Sequence, residues 1–188
     1  MRISIDFDGV LCHTPFGRMA TRAPGGVPEL PEGYAALYDA PSRPRRLRLG
    51  LEYVRFGWRR MDPRAQPVLR ALSEQHEVTI VTGRSIAGEA LVARWLRRTG
   101  LDARVGLRMA PPGLRPPQHK LAVARILGID AHLDDDPRTA HYLAEHGVAH
   151  VYLLDRAGLH ASDAELPANL RVVRALDEFA DAIAAIPS

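Results

Sequence analysis

From residue 62 onward, short apolar segments alternate with segments whose apolar residues recur at helical spacing. The pattern predicts strands at residues 77–82, 103–107, 131–133, 149–153 and 170–173, and helices that begin near residues 63, 85, 119, 138 and 177. Ile3 and Ile5 predict one more buried strand near the N-terminus. Strands that alternate with helices are typical of a parallel sheet covered on both faces. The sequence therefore predicts an α/β fold, built as a three-layer, doubly wound, mostly parallel sheet.

An irregular segment separates the first predicted strand from the rest of this pattern. Prolines and glycines punctuate residues 13–46 closely, and connections of this length inside compact domains are usually functional lids or disordered. Apolar residues then follow helical spacing over residues 47–61, although alternation in the first half also allows a strand. We therefore expect a core of residues 1–14 and 62–188 and a cap or lid insert of residues 15–61. The 47–61 helix would pack on the core, cover a substrate, form a dimer face or lie on a membrane surface.

Two carboxylates end the first predicted strand. Asp6 and Asp8 lie one residue apart at the carboxyl edge, where open α/β sheets bind their ligands, and Gly9 allows a tight turn. At ~4 Å and an effective dielectric of ~20, two like charges repel by about 4 kcal/mol. A shared proton or a cation must offset this repulsion. Mg²⁺ fits carboxylates together with a phosphate, whereas a strand-end aspartate turn is the structural alternative.

The composition narrows the class of protein. A chain of 188 residues suits one domain, or one domain with an insert, and 46% hydrophobic and 25% charged residues are ordinary values for a globular chain. The net charge of +3 is too small to indicate nucleic-acid binding. Cys12 is the one cysteine, and no apolar run approaches the ~20 residues of a transmembrane segment. Because a signal-peptide pattern is also missing, we expect a cytoplasmic protein.

Lysine is nearly missing from the chain. Of the 25 lysine and arginine residues, 24 are arginine and one, Lys120, is lysine. An ammonium is a compact, strongly hydrated point charge, unlike the planar guanidinium fork. Lys120 is therefore a candidate for a position that arginine cannot fill.

Polar groups stand at four places where a predicted strand ends or a predicted helix begins. In chain order they are Asp6 with Asp8, Thr82 with Gly83, Lys120, and Asp134 with Asp135. Because the carboxyl ends of parallel strands meet at one edge of a sheet, we expect these groups to lie together. Carboxylates, a hydroxyl, a backbone N–H and an ammonium supply what phosphoryl transfer requires: a nucleophile, metal ligands and donors to the phosphoryl oxygens.

These motifs, in this order, resemble those of the haloacid dehalogenase-like hydrolase superfamily. The resemblance rests on Asp6-Phe7-Asp8-Gly9-Val10, Val81-Thr82-Gly83-Arg84, Lys120 and Leu133-Asp134-Asp135. It covers roughly residues 1–14 and 62–155. It implies a Rossmann-like core with a cap inserted between the first two motifs. It also implies the phosphatase branch, because the dehalogenases lack the second aspartate of the first motif, here Asp8.

The resemblance further implies a role for each motif residue. Asp6 would attack phosphorus and become an aspartyl-phosphate. Asp8 would protonate the leaving alkoxide and then accept a proton from the hydrolytic water. The phosphate would be bound by Thr82, Gly83, Arg84 and Lys120. Mg²⁺ would be held by Asp6, the backbone carbonyl of Asp8, and either Asp134 or Asp135.

The expected function is Mg²⁺-dependent hydrolysis of a small phosphorylated metabolite, of the nucleotide or sugar phosphate class. A phosphomutase with the same core chemistry is one alternative. A non-catalytic module whose basic insert binds a partner or a membrane surface is another. A receiver-type signalling domain is disfavoured, because its acidic pair lies near the first strand rather than after the lysine. The insert is a candidate homodimer face, and its arginines could bind a second anionic group: Arg45, Arg46, Arg48, Arg55 and Arg59.

Overall fold

The computed structural model describes residues 1–13, 26–39, 59–102, 104–158 and 166–187. Strands β1 to β8 span Arg2–Ile5, Cys12–His13, Arg60–Met61, Glu77–Ser85, Gly106–Ala110, Ala131–Asp134, His150–Leu154 and Leu170–Val173. Helices α1 to α5 span Ala65–Gln75, Glu89–Arg98, Pro116–Leu127, Pro137–Glu145 and Leu176–Ala184. Two short 3₁₀ segments span Tyr34–Tyr38 and Ile86–Gly88.

Six of these strands form one parallel sheet in the order β5-β4-β1-β6-β7-β8. The chain builds outward from β1 through β4 to β5, and then returns to the other side of β1 to add β6, β7 and β8. The direction of winding therefore reverses at β1. Open α/β sheets bind their ligands at such a switch point, outside the carboxyl ends of the strands.

Helices cover both faces of the sheet. One apolar cluster joins Ile3, Ile5 and Phe7 to residues of α1, α2 and α5, and Phe7 meets Trp95 edge to face with 4.9 Å between ring centroids. A second cluster joins residues of α3 and α4 to β7. Each fully buried Leu, Ile or Phe side chain contributes about 1.5–3 kcal/mol. The predicted three-layer α/β fold is confirmed.

Two predicted boundaries after β4 are wrong. The strand expected at residues 103–107 spans Gly106–Ala110 instead, because its pairing with β4 continues to Ala110 opposite Ser85. The helix expected to begin near residue 119 begins at Pro116 instead, as α3. Proline is tolerated there, since the first turn of a helix has no backbone acceptor for its N–H groups.

The predicted helix over residues 47–61 lies mostly outside the described residues, which resume at Arg59. Its last part is wrong: Met61, assigned to the apolar stripe of that helix, lies in β3 and pairs with Cys12 in an antiparallel ladder. The next helix, expected to begin near residue 63, begins at Ala65 as α1, so Asp62 does not lie directly before it. The carboxylate of Asp62 instead accepts from the N–H of Arg64 at 2.8 Å, one turn before the helix.

One described part of the insert, residues 26–39, packs against α3 and α4. The Gln118 amide donates to the carbonyls of Pro28 and Glu29, and the Tyr142 hydroxyl donates to Pro28. The Tyr38 hydroxyl lies 2.7 Å from His119 Nδ1. Among the described helices, none has the length and apolar character needed to span a membrane.

Candidate active site

The site forms where β1, β4 and β6 end. Asp6 follows β1, and its backbone N–H donates to the carbonyl of Leu133 in β6 at 2.9 Å. Asp134 is the last residue of β6, and Thr82, which is 1% exposed, lies near the end of β4. Residues that are far apart in the sequence are thus neighbours at the switch point, as the sequence predicted.

Helix α3 brings Lys120 to this edge. A Cβ on Gly83 would lie 2.7 Å from the Cβ of Pro116, the first residue of α3, so a side chain at Gly83 would push this helix away. The Lys120 ammonium lies 3.0 Å from Asp6 Oδ1 and 2.6 Å from Asp134 Oδ2. Lys120 is 5% exposed, and it therefore bridges two buried carboxylates.

Burial and charge set the protonation of these three groups. Burial raises the pKa of Asp6 to about 7, because Lys120 offsets only part of this effect and Asp134 and Asp135 add to it. Although burial opposes ionisation of Asp134, Lys120 and His132 outweigh it and hold the pKa of Asp134 below its usual range. Burial also opposes the charge on Lys120, but the two carboxylates raise the pKa of its ammonium overall.

Three carboxylates are close enough to share one cation. Asp6, Asp134 and Asp135 each offer an oxygen, and these oxygens lie within 4.8 Å of one another. Gly9 makes room for this cluster, since a Cβ there would lie 2.0 Å from Asp135 Oδ2, and its φ of 83° also favours glycine. Carboxylate oxygens are the ligands that Mg²⁺ and Ca²⁺ prefer. The donor set therefore fits a hard divalent cation.

Asp8 is held by two arginines at the edge of this cluster. Arg84 Nε donates to Asp8 Oδ2 at 2.6 Å and its Nη2 donates to Oδ1 at 3.2 Å. Arg59, from the end of the insert, forms a second ion pair with the same carboxylate. Burial and the nearby Arg84 lower the pKa of Arg59 to about 10, so the guanidinium remains charged at neutral pH. Two cations therefore stabilise the ionised form of Asp8.

The second motif is held in a compact turn. The backbone N–H of Arg84 donates to the Thr82 hydroxyl at 3.3 Å. The structure thus brings together Asp6, Lys120, Asp134 and Asp135 as one cluster, and it links Asp8, Arg84 and Thr82 beside it. Of the insert arginines named as candidates, Arg59 reaches the site, and the other four lie outside the described residues.

Sequence reasoning missed three groups that contact this site directly or, for Ser4, through His132. Ser4 and His132 lie inside β1 and β6, and His132 contacts Asp134. Arg156 follows β7 and donates to the carbonyls of Gly9 and Val10 in the turn after Asp8. Polar residues at alternate positions of otherwise apolar strands were the available signal for the first two. Arg156 carried no such signal, since nothing in the local sequence distinguishes it from the other arginines.

Several solved structures match this architecture. A haloacid dehalogenase-like family hydrolase from Streptococcus pneumoniae matches with a TM-score of 0.62 and 11% identity, over 97% of this chain and 97% of its own. A D,D-heptose 1,7-bisphosphate phosphatase from Burkholderia thailandensis matches with a TM-score of 0.58 and 15% identity, over 98% and 99% of the two chains. The chain has the fold of the haloacid dehalogenase-like hydrolases.

A chain of the Pnkp1/Rnl/Hen1 RNA repair complex also matches over part of its length. The TM-score is 0.53 and the identity 15%, over 81% of the present chain and 42% of its own. The present chain therefore spans less than half of that protein. No protein-family model matches the chain, and no curated protein sequence matches it significantly. At these identities the structural matches establish the fold.

Proposed function

We propose that the chain is a Mg²⁺-dependent phosphomonoester hydrolase that forms an aspartyl-phosphate on Asp6. The observation that supports this most is the position of Lys120, buried between Asp6 and Asp134, with Asp135 in the same carboxylate cluster. A buried group of acids and one ammonium at the switch point of such a sheet is suited to a substrate that carries negative charge. The substrate class is a small phosphorylated metabolite, such as a nucleotide or a sugar phosphate.

Asp6 is the nucleophile in this proposal. Its carboxylate oxygen would form a bond to phosphorus while the bond from phosphorus to the leaving alkoxide breaks. Lys120 holds the Asp6 carboxylate at 3.0 Å and offsets the negative charge on both the nucleophile and the phosphate. Thr82 and the N–H of Gly83 would donate to the phosphoryl oxygens. Water would then attack phosphorus, release inorganic phosphate and restore the Asp6 carboxylate.

Asp8 moves the protons. It would protonate the leaving alkoxide in the first step and take a proton from water in the second. Its ion pairs with Arg59 and Arg84 stabilise the carboxylate, which is the form that the second step needs. If a guanidinium moved from Asp8 to the incoming phosphate, Asp8 could carry a proton, and the arginine would become a phosphate ligand.

The metal would be held by Asp6, the backbone carbonyl of Asp8 and Asp135. Both carboxylate oxygens of Asp134 already accept hydrogen bonds. Oδ2 accepts from Lys120 and His132, and Oδ1 accepts from the N–H of Asp136. We therefore assign Asp134 to the lysine and Asp135 to the metal. When bound, Mg²⁺ supplies positive charge to the phosphoryl group and reduces the repulsion among the carboxylates.

The domain division follows from the same proposal. Residues 1–14 and 62–188 would form the catalytic core, and residues 15–61 would form a cap that contributes Arg59 to the site.

The direct test of function is hydrolysis of para-nitrophenyl phosphate with Mg²⁺, followed by a panel of nucleotide and sugar phosphates. Release of inorganic phosphate from a panel member supports the proposal. An isomerised sugar phosphate would favour the phosphomutase alternative, and no turnover with any substrate would contradict enzymatic function.

We expect Gly9→Ala to weaken metal binding strongly. The new Cβ would overlap the Asp135 carboxylate, which must move away from the cluster. Metal affinity should fall at least about tenfold, measured as the Mg²⁺ concentration that half-maximally raises Tm. The matched control is Gly147→Ala, because Gly147 has a similar φ of 89° but nothing within 4 Å of its Cβ position. Equal Mg²⁺ responses in the two variants would show that Asp135 is not a metal ligand.

We expect Asp8→Asn to retain Mg²⁺ binding but to slow turnover, since the backbone carbonyl remains and the acid does not. The loss should be greatest for alkyl phosphates, which have poor leaving groups, and should reach about 10²–10⁴-fold. The measurement compares kcat for an alkyl phosphate with kcat for para-nitrophenyl phosphate. Full activity on the alkyl phosphate would show that Asp8 is not the acid.

A further inference from the structure

A chain of buried polar contacts lies beneath the proposed nucleophile. Ser4 and His132 are direct partners in the parallel register of β1 and β6, two residues before Asp6 and Asp134. They are 2% and 1% exposed. Ser4 Oγ lies 2.6 Å from His132 Nδ1, and His132 Nε2 lies 3.0 Å from Asp134 Oδ2. Through Lys120 the contacts continue to Asp6, and we call these five residues the buried polar chain.

When His132 is neutral, the donors and acceptors of the buried polar chain have one consistent order. Lys120 Nζ can only donate and contacts Asp134 Oδ2, and Oδ1 accepts from the N–H of Asp136, so both carboxylate oxygens are acceptors and His132 Nε2 donates to Oδ2. A neutral imidazole with its proton on Nε2 has a lone pair on Nδ1, and that lone pair accepts from the Ser4 hydroxyl. The other tautomer would place a lone pair of Nε2 against the carboxylate. Ser4 therefore favours the imidazole tautomer that binds Asp134.

The Asp134 carboxylate is fixed at both oxygens. Oδ2 accepts hydrogen bonds from the His132 imidazole and the Lys120 ammonium, and Oδ1 accepts one from the backbone N–H of Asp136 at 3.0 Å. Because Lys120 is held by Asp134 at 2.6 Å and by Asp6 at 3.0 Å, rotation of Asp134 would displace the ammonium from the nucleophile. The orientation of Asp134 thus determines where the positive charge lies.

We propose that Ser4 and His132 are positioning residues of the phosphoryl-transfer site, which hold Asp134 so that Lys120 stays against Asp6. Neither residue belongs to the four motifs, and neither would touch the substrate. The predicted effect on turnover rests on the proposed function, whereas the predicted effect on the Lys120 ammonium does not.

Packing of the sheet alone does not require this pair. Apolar side chains fill most inward positions of β1 and β6, and a buried polar group without a partner costs about 1–3 kcal/mol. Thr79 offers an internal comparison, because it is the partner of Ser4 on the other side of β1 and is 6% exposed. It lies outside the buried polar chain, so Thr79→Val is the matched control.

The first test uses the only lysine of the chain. Protein made with ¹³Cε,¹⁵Nζ-lysine gives a single ammonium signal in NMR spectra, from Lys120. We expect His132→Phe to shift and broaden this signal, and Thr79→Val to leave it unchanged. In the unmutated protein, ¹⁵N histidine spectra should show His132 protonated at Nε2 and unprotonated at Nδ1. These measurements need no turnover, so they decide the inference even where the proposed function fails.

The second test measures para-nitrophenyl phosphate hydrolysis. We expect His132→Phe to lower kcat about 10- to 100-fold with little change in KM, and Ser4→Ala to lower kcat by less. His132→Gln should recover part of the loss, because an amide can donate to Asp134 and accept from Ser4. A purely structural role would instead lower Tm and leave kcat of the folded fraction unchanged.

Three results would overturn the proposal. An unshifted Lys120 signal in His132→Phe would show that the His132 imidazole does not influence the Lys120 ammonium. A His132 protonated at Nδ1 and not at Nε2 would reverse the order of donors. A kcat loss no larger than that of Thr79→Val would leave the pair without a catalytic effect. If His132→Phe does not fold, Ser4→Ala and the tautomer of the unmutated protein decide the matter.

Discussion

Asp6→Asn is expected to abolish hydrolysis of para-nitrophenyl phosphate, with kcat at least about 10⁴-fold lower. The amide is almost the same size as the carboxylate but cannot form the bond to phosphorus that the proposed intermediate requires. The matched control is Asp102→Asn, which makes the same change at an exposed aspartate outside the site. Residual activity within tenfold of the unmutated enzyme would exclude Asp6 as the nucleophile.

The same substitution should stabilise the metal-free protein in a pH-dependent way. The pKa of Asp6 is raised from its ordinary value of 3.8 to about 7 in the folded protein. Between these values the folded state binds more protons than the unfolded state, so this group lowers the free energy of unfolding as the pH rises. At about pH 8 we expect Asp6→Asn to have a higher Tm than the unmutated protein and a free energy of unfolding larger by up to about 4 kcal/mol, and we expect the difference to vanish near pH 4.

Thermal unfolding with and without Mg²⁺ checks this expectation. A bound cation would offset the same repulsion, so Mg²⁺ should raise the Tm of the unmutated protein at about pH 8 and that of Asp6→Asn much less. If Asp6→Asn instead lowered the stability at about pH 8 without metal, the charge on Asp6 would not be destabilising, and the carboxylate cluster would not need a cation.

Lys120→Arg should lower kcat about 10²–10³-fold, although it keeps the positive charge. The space around Lys120 Nζ is enclosed, with Asp6 at 3.0 Å and Asp134 at 2.6 Å. A guanidinium is larger and planar, and it would have to displace one of these carboxylates. Turnover of para-nitrophenyl phosphate measures the effect, and circular dichroism confirms that the variant is folded.

Two further variants separate the causes of that loss. Lys120→Met removes the charge at similar length and should be at least as inactive as Lys120→Arg. Arg125→Lys exchanges the same two residue types on the exposed side of α3 and should leave kcat unchanged. Near-native activity of Lys120→Arg would contradict the argument that this position requires an ammonium.

The sequence predicted the parts of the site that depend on periodicity and topology. Asp6, Thr82 and Asp134 stand at the ends of apolar strands, and a parallel sheet must bring such ends together. Lys120 was found because a chain rich in arginine keeps lysine at one position. Periodicity and the order of the motifs thus predicted an α/β fold, and the parallel sheet confirms that fold class.

The remainder depends on contacts that no local pattern encodes. The β2–β3 pair joins Cys12–His13 to Arg60–Met61 across the whole insert, so the helical spacing that ends at Met61 misled the prediction. Phosphate binding by Arg84 stays a prediction, but its ion pair with Asp8 was not foreseen, because the partner of an arginine is set by what lies across the turn. The contact between Ser4 and His132 depends on the register of β1 with β6, which no local sequence pattern predicts.

Chemical trapping of the intermediate tests the central claim most directly. An aspartyl-phosphate is an acyl phosphate, which borohydride reduces to an alcohol, so a phosphorylated Asp6 would become homoserine. The enzyme is mixed with para-nitrophenyl phosphate and Mg²⁺, quenched, reduced and digested, and its peptides are sequenced by mass spectrometry, with Asp8→Asn included because it should slow the second step. We predict homoserine at position 6 only when substrate is present. Turnover without modification, or homoserine at another aspartate, would contradict the account.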